Sequence, residues 1–327
     1  MDTVIECSAL KKEFKINKRP KGFLGHMANL IVPKFEYKQA VSDISFRINR
    51  GDAVGFIGAN GAGKSTTIKM LTGILAPTEG SITALGVHPQ KDRKQYVAKI
   101  GAVFGQKSQL SWDLPVLDSF YLLQKIYQIP DQQFNQTLEQ FTDILDMSGF
   151  IEQPVRQLSL GQRMRADIAA SLLHKPELVF FDEPTIGLDV VAKEKIREFV
   201  RYLNREMQVT VIFTTHDMQD IEQVCQRLII IDKGRKLYDG TVEGIKSTFG
   251  NEKKLIVQFE SPACVYSIPG VSQKLKPNHV IEFSFSSDQV AVKDLVQALL
   301  AEHAVLDISI TEQGIEQIIR EIYEKGI

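Results

Sequence analysis

Gly58-Ala59-Asn60-Gly61-Ala62-Gly63-Lys64-Ser65-Thr66 is the stretch on which the reading of this chain turns. It follows the apolar run Val54-Gly55-Phe56-Ile57 and precedes Thr67-Ile68-Lys69-Met70-Leu71. The order is buried strand, glycine-rich turn, helix start, which is the context a phosphate-binding P-loop requires. The glycines let backbone N–H groups turn inward with no side chain in the way. Those N–H groups and the helix N-terminus would face the phosphates. Lys64 would reach the β- and γ-phosphates, and the Ser65 hydroxyl would ligate Mg²⁺. The nine residues together predict binding of a nucleoside triphosphate.

A second acidic element fits the first. Leu178-Val179-Phe180-Phe181 is a fully apolar strand ending in Asp182-Glu183. A carboxylate at a strand end can hold Mg²⁺ through its water shell, which suits Asp182. A neighbouring carboxylate can orient and deprotonate water, which suits Glu183. Strands often end in acidic residues, so the pair gains its meaning from the P-loop before it.

The surroundings set limits. The chain has 327 residues, enough for roughly two domains. Lys+Arg number 39 and Asp+Glu 40, a net charge of −1, so the basic footprint of a nucleic-acid binder is missing. Cys7, Cys225 and Cys264 stand far apart, which predicts neither a metal site nor a disulfide framework. The N-terminus has no apolar stretch of signal-peptide length. No apolar run reaches the roughly 18 residues of a membrane span. The expectation is a protein that is cytosolic or held to a membrane from outside.

Taken in order, Ile5 to Phe14 and Val41 to Ile48 read as strands. Residues 18–34 between them mix basic and apolar residues and read as an insertion. It is either a surface loop or a contact with an anionic membrane or membrane partner. Strands are expected at Ser81 to Leu85 and Gly101 to Phe104. From Leu117 to Ser148 the pattern turns helical, with Phe120, Leu123, Ile126 and Tyr127, then Phe134, Leu138, Phe141 and Leu145, at helical spacing. Ser159 to Leu173 reads as a helix stopped by Lys175-Pro176. Helix at Ala192 to Glu206, strand at Val209 to Thr214, helix at Gln219 to Gln226 and strand at Leu228 to Asp232 follow. Lys233-Gly234 reads as a hairpin turn into Lys236 to Tyr238. Apolar strands alternating with helices predict an α/β fold with a mainly parallel sheet. Beyond about residue 250 the strands alternate more strictly, at Leu255 to Phe259, Val280 to Phe285 and Val305 to Ile310. Helices are expected at Gln289 to Ala301 and Gly314 to Lys325. That part reads as a small α+β domain without catalytic groups.

Leu158-Ser159-Leu160-Gly161-Gln162-Arg163 opens a helix between the two nucleotide motifs. With it the chain resembles the ATP-binding-cassette (ABC) ATPases, over about residues 3 to 248. The resemblance implies a RecA-like P-loop NTPase domain at residues 1–250, with an N-terminal antiparallel β subdomain and a helical subdomain at about 107–165. Residues 251–327 would be an accessory domain, regulatory or helping dimerisation. It implies ATP and Mg²⁺, and two copies of the chain enclosing two ATP. Ser159, Leu160, Gly161 and Gln162 would then meet the nucleotide held by the second copy. Leu160 stands where the family usually has glycine. Gln106 matches a glutamine that ligates Mg²⁺ and water. Asp189, in Ile186-Gly187-Leu188-Asp189, would lie at the dimer seam. His216, in Thr214-Thr215-His216-Asp217, matches a γ-phosphate contact and with Glu183 completes the catalytic set. The family also stacks an aromatic on adenine a short distance before the P-loop lysine. Phe35 and Tyr37 both qualify and would share one strand face.

A single cassette without membrane spans resembles the separate ATPase subunit of a transporter, peripheral on the cytoplasmic face through a permease. Lys107-Ser108-Gln109-Leu110-Ser111-Trp112-Asp113-Leu114-Pro115-Val116 resembles the corresponding segment of ABC-2-type exporters, the drug- and antibiotic-resistance-like group, as does Arg163-Met164-Arg165-Ala166-Asp167. In the family this region receives the permease. Trp112, the one tryptophan, suits an interface anchor or a core residue. An importer subunit and a soluble cassette ATPase acting without a permease are the other readings.

Overall fold

The computed structural model describes residues 2–17, 35–105, 107–250, 252–261 and 268–325. The insertion at 18–34, Gln106 and Cys264 lie outside the described residues. The chain divides into two compact units, Met1–Asp239 and Gly240–Ile327.

The first unit is built on a six-stranded sheet. Its strands are β3 (Ala53–Gly58), β5 (Ile100–Phe104), β6 (Leu178–Asp182), β7 (Thr210–Thr214), β8 (Arg227–Asp232) and β9 (Arg235–Thr241), in the order β5-β6-β7-β3-β8-β9. The pairs from β5 to β8 are all parallel. Sequences such as Ala53-Val54-Gly55-Phe56-Ile57-Gly58 and Thr210-Val211-Ile212-Phe213-Thr214 are buried throughout, as strands covered on both faces must be. Register sets the site. Phe104 pairs with Asp182, Asp182 with Thr214, and Gly55 with Phe213, so β3, β5, β6 and β7 all end along one sheet edge. Ligands of open parallel sheets bind at that carboxyl edge.

A three-stranded antiparallel sheet, order β2-β1-β4, covers part of this core. Its strands are β1 (Thr3–Asn17), β2 (Phe35–Asn49) and β4 (Glu79–Ala84). Ile5, Leu10, Val41, Ile44 and Ile82 pack with Phe56, Met70, Phe180 and Ile229. β1 and β2 run further than their alternation predicts, and pair out to Asn17 and Phe35.

The helices of this unit are α1 (Lys64–Leu71), α2 (Arg93–Val97), α3 (Val116–Tyr127), α4 (Asp131–Ile144), α5 (Leu160–Leu172), α6 (Val190–Arg205) and α7 (Met218–Val224). The stretch expected as helical from 117 to 148 is two helices. Gln128 turns left-handed at φ 53°, and Pro130 caps the next helix. The residue before a proline disfavours helical angles, so the break is local in origin. α2 gave no usable sequence period, being five residues long.

The second unit holds a four-stranded antiparallel sheet of order β11-β12-β10-β13. The strands are β10 (Glu252–Phe259), β11 (Val271–Lys276), β12 (Val280–Ser286) and β13 (Val305–Glu312). The unit also contains α8 (Val242–Phe249), α9 (Val292–Glu302) and α10 (Ile315–Lys325). Leu255, Val257, Phe259, Ile281, Phe283 and Phe285 make one buried face against Leu295 and Leu299 of α9. β11 and α8 were not expected. β11 reads Val-Ser-Gln-Lys-Leu-Lys and lies largely exposed at the sheet edge, so it shows little alternation. α8 is announced only by the Thr241 cap, whose side chain accepts from the Gly244 N–H.

Candidate functional site

The P-loop leaves β3 through a turn that admits no side chain at two points. A Cβ on Gly58 would lie 2.5 Å from the Ile231 carbonyl oxygen, and one on Gly63 would lie 2.6 Å from that of Ala40. Gly63 also caps α1 at φ 106°, a left-handed angle that favours glycine. No side chain caps α1, so its first N–H groups remain available to an anion. Lys64 is buried, and its ammonium donates back to the carbonyls of Gly58 and Ala59. Burial pulls its pKa down, while Glu183 and Asp182 pull it up. A cavity of about 320 Å³ lies over the turn, lined by Asn60, Gly61, Gly63, Lys64, Ser65, Thr66 and Glu183, with Phe14 and Gln39 from the antiparallel sheet.

A second cavity, about 350 Å³, joins Ser65 to Phe104, Gly105, Lys107, Asp182 and Glu183. Glu183 therefore lines both. Burial raises the Asp182 carboxyl, and the Glu183 charge adds to it. A 2.7 Å hydrogen bond from the Thr214 hydroxyl and the charges of Lys64 and Lys69 work against the rise. Glu183 sits at φ 57° with its N–H donating to the carbonyl and hydroxyl oxygens of Thr214, at 3.0 and 3.1 Å. This left-handed angle at a non-glycine residue turns the carboxylate toward His216, whose Nε2 lies 2.6 Å from Oε1.

His216 stands on a loop anchored from behind. Asp220, fully buried, accepts from the hydroxyls of Thr185 and Thr215 at 2.5 and 2.9 Å. Arg197 of α6 donates to the same carboxylate at 2.6 Å. One carboxylate thus ties the chain after Glu183, the chain before His216 and α6 together. Sequence reasoning gave Asp220 no role, because nothing local sets its carboxylate apart.

Ser159 caps α5 in a reciprocal box. Its hydroxyl accepts from the Gln162 N–H and the Gln162 side chain accepts from the Ser159 N–H. Asp189 caps α6 by accepting from Ala192. A Cβ on Gly161 would meet that of Ala192 at 3.1 Å, so the two helix starts are in close contact. Leu160, Ile186, Val190 and Val191 are exposed around them. Ser159, Leu160, Gly161, Gln162 and Asp189 line neither cavity over the P-loop.

Phe35 and Tyr37 share a face of β2, at 44% and 63% exposure, and line neither cavity. The Lys15 ammonium lies 3.7 Å from the Phe35 ring centre. Phe14, which sequence reasoning passed over, does line the P-loop cavity. The chain between Asn17 and Phe35 lengthens its separation from Lys64, but pairing with Lys38 brings it back. Its signal was the β1–β2 register rather than a spacing.

The residues suit a nucleoside triphosphate with a divalent cation. The bare glycine turn, the uncapped helix and the buried ammonium fit the phosphates. Ser65 and Asp182 supply hard oxygen donors on one cavity.

Comparison with known proteins agrees with this chemistry. Residues 41–186 match the family described as ABC transporter. The chain is 30% identical over 293 residues to the linearmycin resistance ATP-binding protein LnrL of Bacillus subtilis, covering 86% of this chain and 92% of that one. It is 28% identical over 287 residues to the methionine import ATP-binding protein MetN 2 of Enterococcus faecalis, covering 85% and 82%. It shares its fold with a dimeric ATP-binding cassette in a post-hydrolysis state bound to ADP and Pi. That likeness has a TM-score of 0.61 at 24% identity and covers 73% of this chain and 98% of the other. The chain belongs to the ABC transporter family, as one of its ATP-binding, ATP-hydrolysing proteins.

Proposed function

We propose that this protein is the ATPase subunit of an ABC-2-type exporter, acting as two copies around two ATP to drive a separate membrane permease. The observation that carries the reading is Trp112. It is 54% exposed on the segment directly after Gln106, so it is not a core residue. Leu114, Tyr121, Leu122 and Ile126 of the same helical part are exposed too. A broad groove of about 1210 Å³ beside them is lined by Arg93, Ile126, Tyr127, Gln133 and His174. An exposed aromatic with aliphatic neighbours and a groove suits a helix of a membrane partner. No helix among the described residues is long and apolar enough to cross a membrane. The likeness to an import protein supports an importer subunit as the second reading.

The proposed roles are these. The backbone from Gly58 to Thr66 and Lys64 hold the phosphates. Ser65, Asp182 and Gln106 would hold Mg²⁺, whose charge offsets that of the β- and γ-oxygens. Glu183 takes the proton of the attacking water. His216, whose Nε2 lies 2.6 Å from the Glu183 carboxylate, contacts the γ-phosphate. Ser159, the Gly161 N–H and the start of α5 meet the nucleotide of the second copy, beside Asp189 at the seam. This explains why they line neither cavity of their own chain. Phe14 stacks on the adenine in place of Phe35 or Tyr37. Residues 251–327 act as an accessory regulatory part.

Purification of the tagged chain from its native membranes tests the reading. A polytopic membrane protein in stoichiometric amount is expected, whereas ribosomes or DNA in its place would contradict it. Glu183→Gln is expected to lower kcat about 10²–10⁴-fold while ATP still binds, read by phosphate release and nucleotide titration. Phe14→Ala should weaken ATP binding by about 1–3 kcal/mol. Phe35→Ala and Tyr37→Ala should have smaller effects, and a larger loss from either would return the adenine to β2.

A further inference from the structure

The segment after Gln106 and the helix that starts at Ser159 are joined by one buried carboxylate. Asp167 lies on α5 about two turns beyond Ser159. Its Oδ1 accepts from the Ser108 hydroxyl at 2.9 Å and from the Gln109 N–H at 3.0 Å. The Gln109 side chain donates back to the Asp167 carbonyl at 3.0 Å, and the Leu110 N–H donates to the Ser108 hydroxyl at 3.1 Å. Asp167 is only 4% exposed. It lines neither P-loop cavity, so it touches no substrate there.

Burial pushes the Asp167 carboxyl up to about 6, against the hydrogen bonds from Ser108, Gln109 and Leu110 and the charge of Arg163. An apolar side chain would fill the same space without desolvating a carboxylate. What an apolar side chain could not do is accept from the Ser108 hydroxyl and the Gln109 N–H of another segment at fixed distances. The two sequence runs that resemble the exporter group, the one holding Ser108-Gln109-Leu110 and Arg163 to Asp167, meet at this point.

We propose that Asp167 is a positioning residue that makes the segment 108–110 and the Ser159 end of α5 move as one body. A change at the γ-phosphate side of one site is thereby passed to the surface offered to the other copy. The inference rests on the proposed contact between Ser159 and a second copy's nucleotide. The Ser159 capping box is local to α5, and the P-loop shares no bond with Asp167. Removal of the carboxylate therefore leaves ATP binding by one chain intact and impairs hydrolysis, which needs both halves.

The test compares the full chain with Asp167→Ala and Asp167→Asn. Asparagine keeps an oxygen acceptor and the shape, and serves if the alanine variant does not fold. Asp167→Ala is expected to lower kcat about tenfold with the ATP dissociation constant changed less than about twofold. Asp167→Asn should recover about a third or more of the wild-type kcat. Amide exchange at Gln109 and Leu110 should rise about tenfold in the alanine variant, with the P-loop amides unchanged. Adding Ser108→Ala to Asp167→Ala should cause no further loss, since both act through one contact. Wild-type kcat together with wild-type exchange at Gln109 and Leu110 in the alanine variant would overturn the proposal. So would parallel loss of ATP binding and kcat that asparagine does not recover. Hydrolysis by wild-type monomers at full rate would remove the two-copy reading itself, which separates that failure from failure of the strut.

Discussion

Everything at this site depends on where four parallel strands end. The register of β3, β5, β6 and β7 brings Gly58, Phe104, Asp182 and Thr214 to one edge of the sheet. These strands are buried on both faces, so a one-residue slip would exchange the side chains packed on each face and undo that packing. From this edge the chain can only leave in turns. One is the glycine turn pressed against the Ile231 and Ala40 carbonyls. Another is the left-handed Glu183, and a third is the loop that carries His216. The chemistry is a consequence of strand ends placed side by side.

Electrostatics prepares the same place. Lys64 is held below its ordinary pKa and Asp182 above its own, both chiefly by burial. Each therefore gains from a partner of opposite charge. An anion beside Lys64 favours its ammonium, and a divalent cation beside Asp182 favours its carboxylate. The polar wiring behind the site follows a similar logic. Asp220 and Asp167 are buried carboxylates that each gather donors from separate segments. A fitting apolar replacement for such a group need not cost stability, but it would leave these donors without their acceptor.

Much of this was legible in the sequence because it is local. The P-loop, the Asp182-Glu183 strand end, the Ser159 cap and the parallel sheet all show themselves within a few neighbouring residues. The break at Gln128-Ile129-Pro130 carries a local signal in its proline, which the helical reading of 117–148 passed over. What stayed hidden depends on pairing over distance. Phe14 reaches the cavity only because β1 and β2 pair out to Asn17 and Phe35. Asp220 and Asp167 acquire partners 35 and 59 residues away. β11 was obscured by its exposure, since a strand with little to bury need not alternate.

In the proposed two-copy arrangement, one chain holds only half of a working site. Ser159, Gly161 and Asp189 line neither cavity formed by their own P-loop residues, and Leu160, Ile186, Val190 and Val191 beside them in the chain are exposed. Light scattering of the hydrolysis-impaired Glu183→Gln chain, with and without Mg-ATP, tests this most directly. The mass of one chain is expected without nucleotide and of two chains with it, reversed when Ser159 is replaced by a bulky residue. A mass that stays at one chain under saturating Mg-ATP would contradict it.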